Sequence, residues 1–181
     1  MDKLFFLKDA EIVARNLLGC VLVRKIDGND RKELKARIVE TEAYYDENDP
    51  ASRARQNGDL RETMKMDAGT ILVYGVHNNW MLNFVNNKEG IAQAVLIRAL
   101  EPLNFNLRCA GPGLLTKAMQ VDKRFHKQSI LNNKELGLEL DKEGKKNGNF
   151  EIDKSFRIGV KRDLPKKLRF YLRNSQWISV K

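Results

Sequence analysis

Apolar and polar positions alternate along residues 34–38, the pattern of a strand with one face turned inward. Leu34, Ala36 and Ile38 fall on one face, and a period of two carries Glu40, Glu42 and Tyr44 onto that same face. Burying a carboxylate is expensive unless it is paired or used. Two readings follow. Either the strand runs past the edge of the core and both acids are solvated, or the acids belong to a site. A bulge within the strand would change the facing.

Asp9 is a plausible N-cap for a helix from Ala10 to Leu18, with Ile12, Val13, Leu17 and Leu18 as its apolar stripe and Gly19 as its stop. Cys20–Ile26 reads as a strand, and a polar turn opened by Asp27-Gly28 returns the chain antiparallel through Leu34–Ala43. Residues 46–68 are turn-like and then basic, with Arg53, Arg55, Arg61 and Lys65. They form either a solvated surface loop or a basic lip suited to phosphate. Gly69–Tyr74 enters a strand, residues 75–79 interrupt it, and Trp80–Val85 resumes it; Ile91–Leu100 forms another. Arg98 ends that apolar run, where it either pairs with a structural carboxylate or enters a cleft beside Glu42. Gly111-Pro112-Gly113 opens a helix through Met119. Residues 132–149 read as a polar excursion with little regular structure. Leu168–Arg173 and Trp177–Val180 read as short closing strands or extended pieces, with Trp177 a core aromatic.

Composition narrows the picture modestly. The 181 residues suit one domain, 1–181, with a sizeable core, and no apolar run approaches a membrane span. Lys plus Arg total 33 against 24 Asp plus Glu, a formal charge of +9 that favours a polyanionic partner, nucleic acid before anionic membrane. Cys20 and Cys109 are isolated, and His77 and His126 are the only histidines, which disfavours a zinc site. The first residues lack the pattern of a secretory signal.

The ordered pieces Arg37-Ile38-Val39-Glu40-Thr41-Glu42-Ala43-Tyr44, Asp49-Pro50-Ala51-Ser52, Gly69-Thr70 with Val73-Tyr74, Ala94–Pro102, Gly111–Leu115, Phe156–Val160, Leu168–Tyr171 and Trp177–Val180 span nearly the whole chain. Together they resemble the alkyladenine DNA glycosylase family, the 3-methyladenine DNA glycosylases of the animal AAG type. The resemblance implies a compact mixed α/β (α+β) domain around a curved antiparallel β-sheet, surrounded by helices and loops. It also implies hydrolysis of the N-glycosidic bond of alkylated purines flipped out of double-stranded DNA. By that resemblance Glu42 activates water, Arg98 stands near the carboxylate and the water, and the Ile158 backbone carbonyl helps hold that water. Tyr44 stacks on the extruded base, Tyr74 matches the opposing tyrosine, and Asn83 fits a residue that rejects guanine, or else makes a strand-edge hydrogen bond. Aromatic faces return part of the stacking lost on flipping, and they favour a cationic base. No lysine matches a Schiff-base nucleophile, so a monofunctional enzyme that leaves an abasic site is expected. It needs neither metal nor cofactor and acts as an intracellular monomer, in the cytoplasm or nucleoid, or in the nucleus of a eukaryote.

Three departures bear on the site. Arg53 stands where the family usually has a histidine on the pocket wall; turned inward, its charge opposes a cationic base, and turned outward it meets phosphate. The stretch Tyr74–Trp80 differs in length from the family pattern. Tyr74 is thus either the stacking ring or the wedge that fills the gap left by the flipped nucleotide, and His77 is the wedge under the first alignment. The segment between Glu101-Pro102 and Gly111 is short, which reduces DNA-facing surface. The expected function is DNA-3-methyladenine glycosylase of base excision repair. The alternatives are a damage-binding protein without efficient hydrolysis and a basic RNA-binding protein.

Overall fold

The computed structural model describes residues 1–26, 32–141 and 150–180. The turn expected at Asp27-Gly28, and Gly144 and Gly148 of the polar excursion, lie outside the described residues. The described chain is an α+β domain whose curved antiparallel sheet is surrounded by helices. No described helix is long and apolar enough to cross a membrane.

In chain order the helices are α1 (Lys3–Phe6), α2 (Ala10–Leu17), α3 (Asp59–Met64) and α4 (Pro112–Ala118). The strands are β1 (Val21–Ile26), β2 (Lys32–Tyr44), β3 (Ile71–Val76), β4 (Asn79–Val85), β5 (Ala94–Pro102), β6 (Leu136–Glu139), β7 (Ile152–Ser155) and β8 (Arg169–Leu172). The strands run in the order β3-β4-β5-β2-β1-β6, with β8 also paired to β2 and β7 to β8. Strand β2 organises the sheet. Its residues 32–37 pair with β1, its residues 40–42 pair with β8, and β5 follows it from Ala36 to Tyr44.

Helix α2 starts where Asp9 caps it, its Oδ1 accepting from the Glu11 amide at 2.9 Å. Its buried residues are Ala10, Val13, Ala14 and Leu17, the i, i+3, i+4, i+7 set of one face. Ile12, expected in that stripe, is 49% exposed, because it lies off that face. Val13 and Leu17 join a core with Leu22, Ile38, Val39, Phe84, Ile97 and Phe170. Each large side chain buried there contributes roughly 1.5–3 kcal/mol.

The strict alternation of β2 breaks in its middle. Ile38 pairs with Leu100 and Glu40 with Ala99, so two steps on β2 meet one on β5, and a second shift follows at Glu40/Thr41. Ile38 and Val39 therefore both enter the core. Thr41 points at α2, its hydroxyl donating to the Ala14 carbonyl at 2.9 Å, and Ala43 also joins the core. Glu40, Glu42 and Tyr44 take the opposite side. The expectation that they continue the face of Ile38 is corrected by this irregularity, which separates charged groups from the oily layer.

Other boundaries shift for local reasons. Strand β3 runs through Val76, and the break expected over residues 75–79 shrinks to His77–Asn78, with φ of 46° and 60°. Two left-handed residues make the tight hairpin that matches strand twist. Ile91 is 43% exposed and precedes β5, which extends instead to Pro102. Residues 46–68 are more ordered than a loop, holding α3 and a 3-10 turn at Arg53–Arg55. The excursion 132–149 contains β6, whose Leu136 and Leu138 are buried against β1. Helix α1 and strand β7 are additions, four residues each and too short for a periodic signal. Trp177–Val180 is not a strand, although Trp177 packs half-buried against the core as expected.

Candidate active site

Glu40 and Glu42 project from the bulged half of β2 toward Arg98 of β5. The Arg98 Nε lies 3.2 Å from Glu40 Oε1 and its Nη1 3.3 Å from Glu42 Oε2. Glu40 also accepts from Arg169 Nε at 2.6 Å, from the Ser179 amide at 2.5 Å and from the Ser179 hydroxyl at 2.8 Å. Arg98 Nη2 closes the ring by donating to Ser179 Oγ at 3.2 Å. The C-terminal segment thus holds Arg98 in place through Glu40.

Glu42 has a different set of partners. Its Oε1 accepts from the Ile158 amide at 2.7 Å, and its Oε2 accepts from the Tyr44 hydroxyl at 2.7 Å as well as from Arg98. Burial pushes its carboxyl above the usual glutamate range. The Arg98 charge, the Ile158 amide and the Tyr44 hydroxyl offset this only in part, and the neighbouring Glu40 adds to the rise. Burial and the Glu42 carboxylate hold the Tyr44 hydroxyl protonated, well above its ordinary range. Tyr44 is therefore a firm donor to Glu42.

A cavity of about 810 Å³ lies over this cluster. Tyr44, Tyr74, Arg98, Ile158, His77 and Arg53 all line it, joined on the rim by Arg55, Lys161 and Arg162. Glu42 itself is 0% exposed and lies under the floor, beneath lining residues that include its partners Tyr44, Arg98 and Ile158. Burial raises the Tyr74 hydroxyl, and Arg53 pulls it back. His77 occupies the tip of the β3–β4 hairpin at the cavity mouth. Helix α4 braces that hairpin closely: a Cβ at Gly113 would meet Asn79 Cβ at 2.7 Å.

Of the residues singled out from sequence, Glu42, Arg98, Ile158 and Tyr44 form one hydrogen-bonded cluster. Tyr74, Arg53 and His77 share its cavity. Asn83 does not line it: it is 2% exposed, its Nδ2 donates to the Leu72 and Met81 carbonyls at 3.2 Å each, and its side chain also hydrogen-bonds the cavity residue Tyr74. Ile158 meets Glu42 through its N–H, whereas the resemblance implied a role for its carbonyl.

Sequence reasoning missed Arg157, Asp49, Arg169 and Ser179 as parts of the site's frame. Arg157 grips Asp49 with Nη1–Oδ2 at 2.6 Å and Nη2–Oδ1 at 2.7 Å, and its guanidinium carbon lies 4.5 Å from the Tyr44 ring centroid. Asp49 in turn accepts from the Tyr45 and Ala51 amides at 3.0 Å each, fixing the loop that leads to Arg53. Burial raises the Asp49 carboxyl, but the Arg157 hydrogen bonds and these amides leave it below its ordinary value. Arg157, Arg169 and Ser179 stand within the quoted motifs, but their partners lie more than 100 positions away in sequence. Only the fold brings them together.

The family model of methylpurine-DNA glycosylases (MPG) matches residues 4–176. A protein of Aeropyrum pernix named "Putative 3-methyladenine DNA glycosylase" is 35% identical over 183 residues, which cover 99% of this chain and 92% of that protein. A protein of the same name from Borrelia garinii subsp. bavariensis is 38% identical over 193 residues, covering 99% of each chain. Another from Legionella pneumophila is 38% identical over 183 residues, covering 97% of this chain and 95% of that one. With a match running through both the carboxylate strand and the arginines that frame it, the chain belongs to the methylpurine-DNA glycosylase family.

Proposed function

We propose that this protein is a monofunctional DNA glycosylase of base excision repair, working as one domain in the manner of the animal-type enzymes. It hydrolyses the N-glycosidic bond of alkylated purines flipped out of duplex DNA, 3-methyladenine foremost, and leaves an abasic site. The observation that carries this reading is Glu42, a buried carboxylate of raised proton affinity beneath a cavity lined by Tyr44 and Tyr74. A flipped purine stacks on these rings, which return part of the free energy lost on unstacking. Arg55, Lys161 and Arg162 on the rim suit the phosphates on either side.

The chemistry asks little of the protein once an alkylated purine is in place, because a cationic base is a good leaving group. As the bond to the base lengthens, positive charge develops on the sugar, and Glu42 supports it as a carboxylate. Glu42 also takes a proton from the attacking water as general base, and Arg98 keeps it oriented. Tyr44 links the two events. Its ring lines the cavity where the base stacks, while its hydroxyl donates to Glu42 Oε2 beneath. Single-turnover release of free base from methylated duplex DNA tests the reading, with Glu42→Gln beside wild type. Release of 3-methyladenine by wild type alone is the expected result.

A damage-binding protein without turnover is the second reading. It is favoured by the zero exposure of Glu42 and by the Tyr44 hydroxyl that covers it. Tight lesion binding unchanged by Glu42→Gln, with no base released, would be its signature.

A further inference from the structure

Arg53 lies where the rim residues Arg55 and Lys161 meet the ring of Tyr74, lining both the main cavity and the adjoining one on the rim side. Its guanidinium carbon lies 4.9 Å from the centroid of the Tyr74 ring, and both residues line the cavity with Tyr44. The side chain is exposed while its neighbours Ser52 and Ala54 are buried, so it lies on the open side of Tyr74. The backbone beneath it is fixed. Ser52 Oγ donates to the Tyr45 carbonyl at 2.5 Å and accepts from the Ala54 amide at 3.0 Å, and Asp49 holds the preceding turn through Arg157. Arg53 is thus presented to the ring by a rigid 3-10 turn.

We propose that Arg53 determines which purines the cavity takes, favouring uncharged purines over cationic ones. This rests on the reading that the cavity receives a flipped purine. A guanidinium on the face of Tyr74 already uses the ring's attraction for cations, the same attraction that a cationic base would otherwise meet. It also places a permanent positive charge within a few ångströms of the base. A cationic purine meets repulsion there and competes with Arg53 for the same attraction of the ring. A neutral purine meets five N–H donors suited to the acceptor atoms of its edge. Cationic lesions are still released, because their glycosidic bond is intrinsically labile; what Arg53 changes is the ratio. Two like charges at this separation, discounted for the exposure of Arg53, correspond to about ten-fold in relative affinity.

The test separates binding from hydrolysis. Duplexes of one sequence carry a single 7-methylguanine, which is cationic, or a single ethenoadenine, which is neutral. Affinities are measured for the full chain in a Glu42→Gln background, alone and with Arg53→Gln or Arg53→Lys. Arg53→Gln is expected to shift the ratio of affinities about ten-fold toward 7-methylguanine, and Arg53→Lys, which keeps the charge, to shift it less. An unchanged ratio with both affinities weakened, and a salt dependence shallower by about one ion, would make Arg53 a phosphate contact and overturn the proposal. Equal shifts from Arg53→Gln and Arg53→Lys would overturn it too, as would no preference for either lesion over undamaged duplex. Base release with Glu42 intact is read separately. A shifted ratio without release would leave this proposal standing and sink the hydrolytic reading, whereas release with an unshifted ratio would do the reverse.

Discussion

Glu40 and Glu42 stand two residues apart on the same strand, face the same side and share Arg98, yet they are held in opposite ways. Glu40 is gripped by two arginines and by both the amide and the hydroxyl of Ser179, a set that answers its charge on every side. Glu42 has one shared arginine, at the longer distance of 3.3 Å, and otherwise only neutral donors in the Ile158 amide and the Tyr44 hydroxyl. Burial therefore wins at Glu42 and raises its proton affinity. The carboxylate saturated with charge belongs to the frame. The one left under-compensated beneath a cavity is suited to work as a base. A general base needs a pKa nearer its operating pH than a free glutamate has.

The comparison is sharpest where one substitution is made at both positions. Glu40→Gln leaves Arg98 and Arg169 buried against a neutral amide and should lower the unfolding free energy by about 3–5 kcal/mol. Urea unfolding would show this as a lower midpoint at unchanged slope. Glu42→Gln removes a charge that burial already penalises and should cost about 1 kcal/mol or less. Equal losses at the two sites would end the distinction between frame and base.

A middle-sized effect is expected at the opposite wall. Gly113→Ala places a methyl against Asn79 at the root of the hairpin and should cost about 1–3 kcal/mol through the overpacked contact. It should also slow base release by displacing the His77 tip, while the Glu40 cluster stays intact. Undiminished release from a folded Gly113→Ala protein would remove the hairpin from the cavity's working parts.

The smallest effects are in pH. The folded-state pKa of Glu42 is raised, so its protonation favours the folded state. Its contribution to stability is fully present below the unfolded pKa and is lost as pH rises through the folded value. Wild type should therefore lose stability relative to Glu42→Gln over that rise, as paired urea titrations would read. Under the proposed reaction activity has the opposite sign, because a general base works ionised. The acid limb of kcat/KM should lie above the ordinary glutamate range of about 4.3. Tyr44→Phe removes a hydrogen bond that favours the carboxylate, and should move that limb further up. A limb unmoved by Tyr44→Phe would mean the hydroxyl does not act on Glu42.

Much of the frame was legible because strands with apolar runs leave few alternatives. Val21–Val23, Ile71–Val73 and Val95–Ile97 are the uninterrupted apolar parts of such strands, and the Gly-Pro-Gly opening of α4 announces a helix start. The facing of Glu42 was partly legible. The apolar positions change phase at Ile38-Val39, after which Val39 and Ala43 fall opposite Glu40 and Glu42, but Arg98, Arg169 and Ser179, which receive Glu40 and brace the site, come from distant parts of the chain. The hairpin at His77–Asn78 was half legible. Asn and His both enter the left-handed region more readily than most residues, but Gly75, the turn signal of the stretch, stands inside β3, so the expected break of five residues is a turn of two. Glu42, Tyr44 and Arg98 came from the strand pattern and the resemblance together, whereas Arg157 and Asp49 needed the fold, since each is an ordinary charge until it is buried against the other.

In the proposed reaction Glu42, and not its neighbour Glu40, is the general base. The most direct test is single-turnover release of 3-methyladenine from methylated duplex DNA at enzyme excess, comparing wild type, Glu42→Gln and Glu40→Gln at a temperature where all three are folded. Loss of the general base predicts a fall of about 10²–10⁴-fold for Glu42→Gln. Glu40→Gln, acting only through the placement of Arg98, should fall much less. Release by Glu42→Gln at the wild-type rate, or an equal fall at Glu40, would contradict the account.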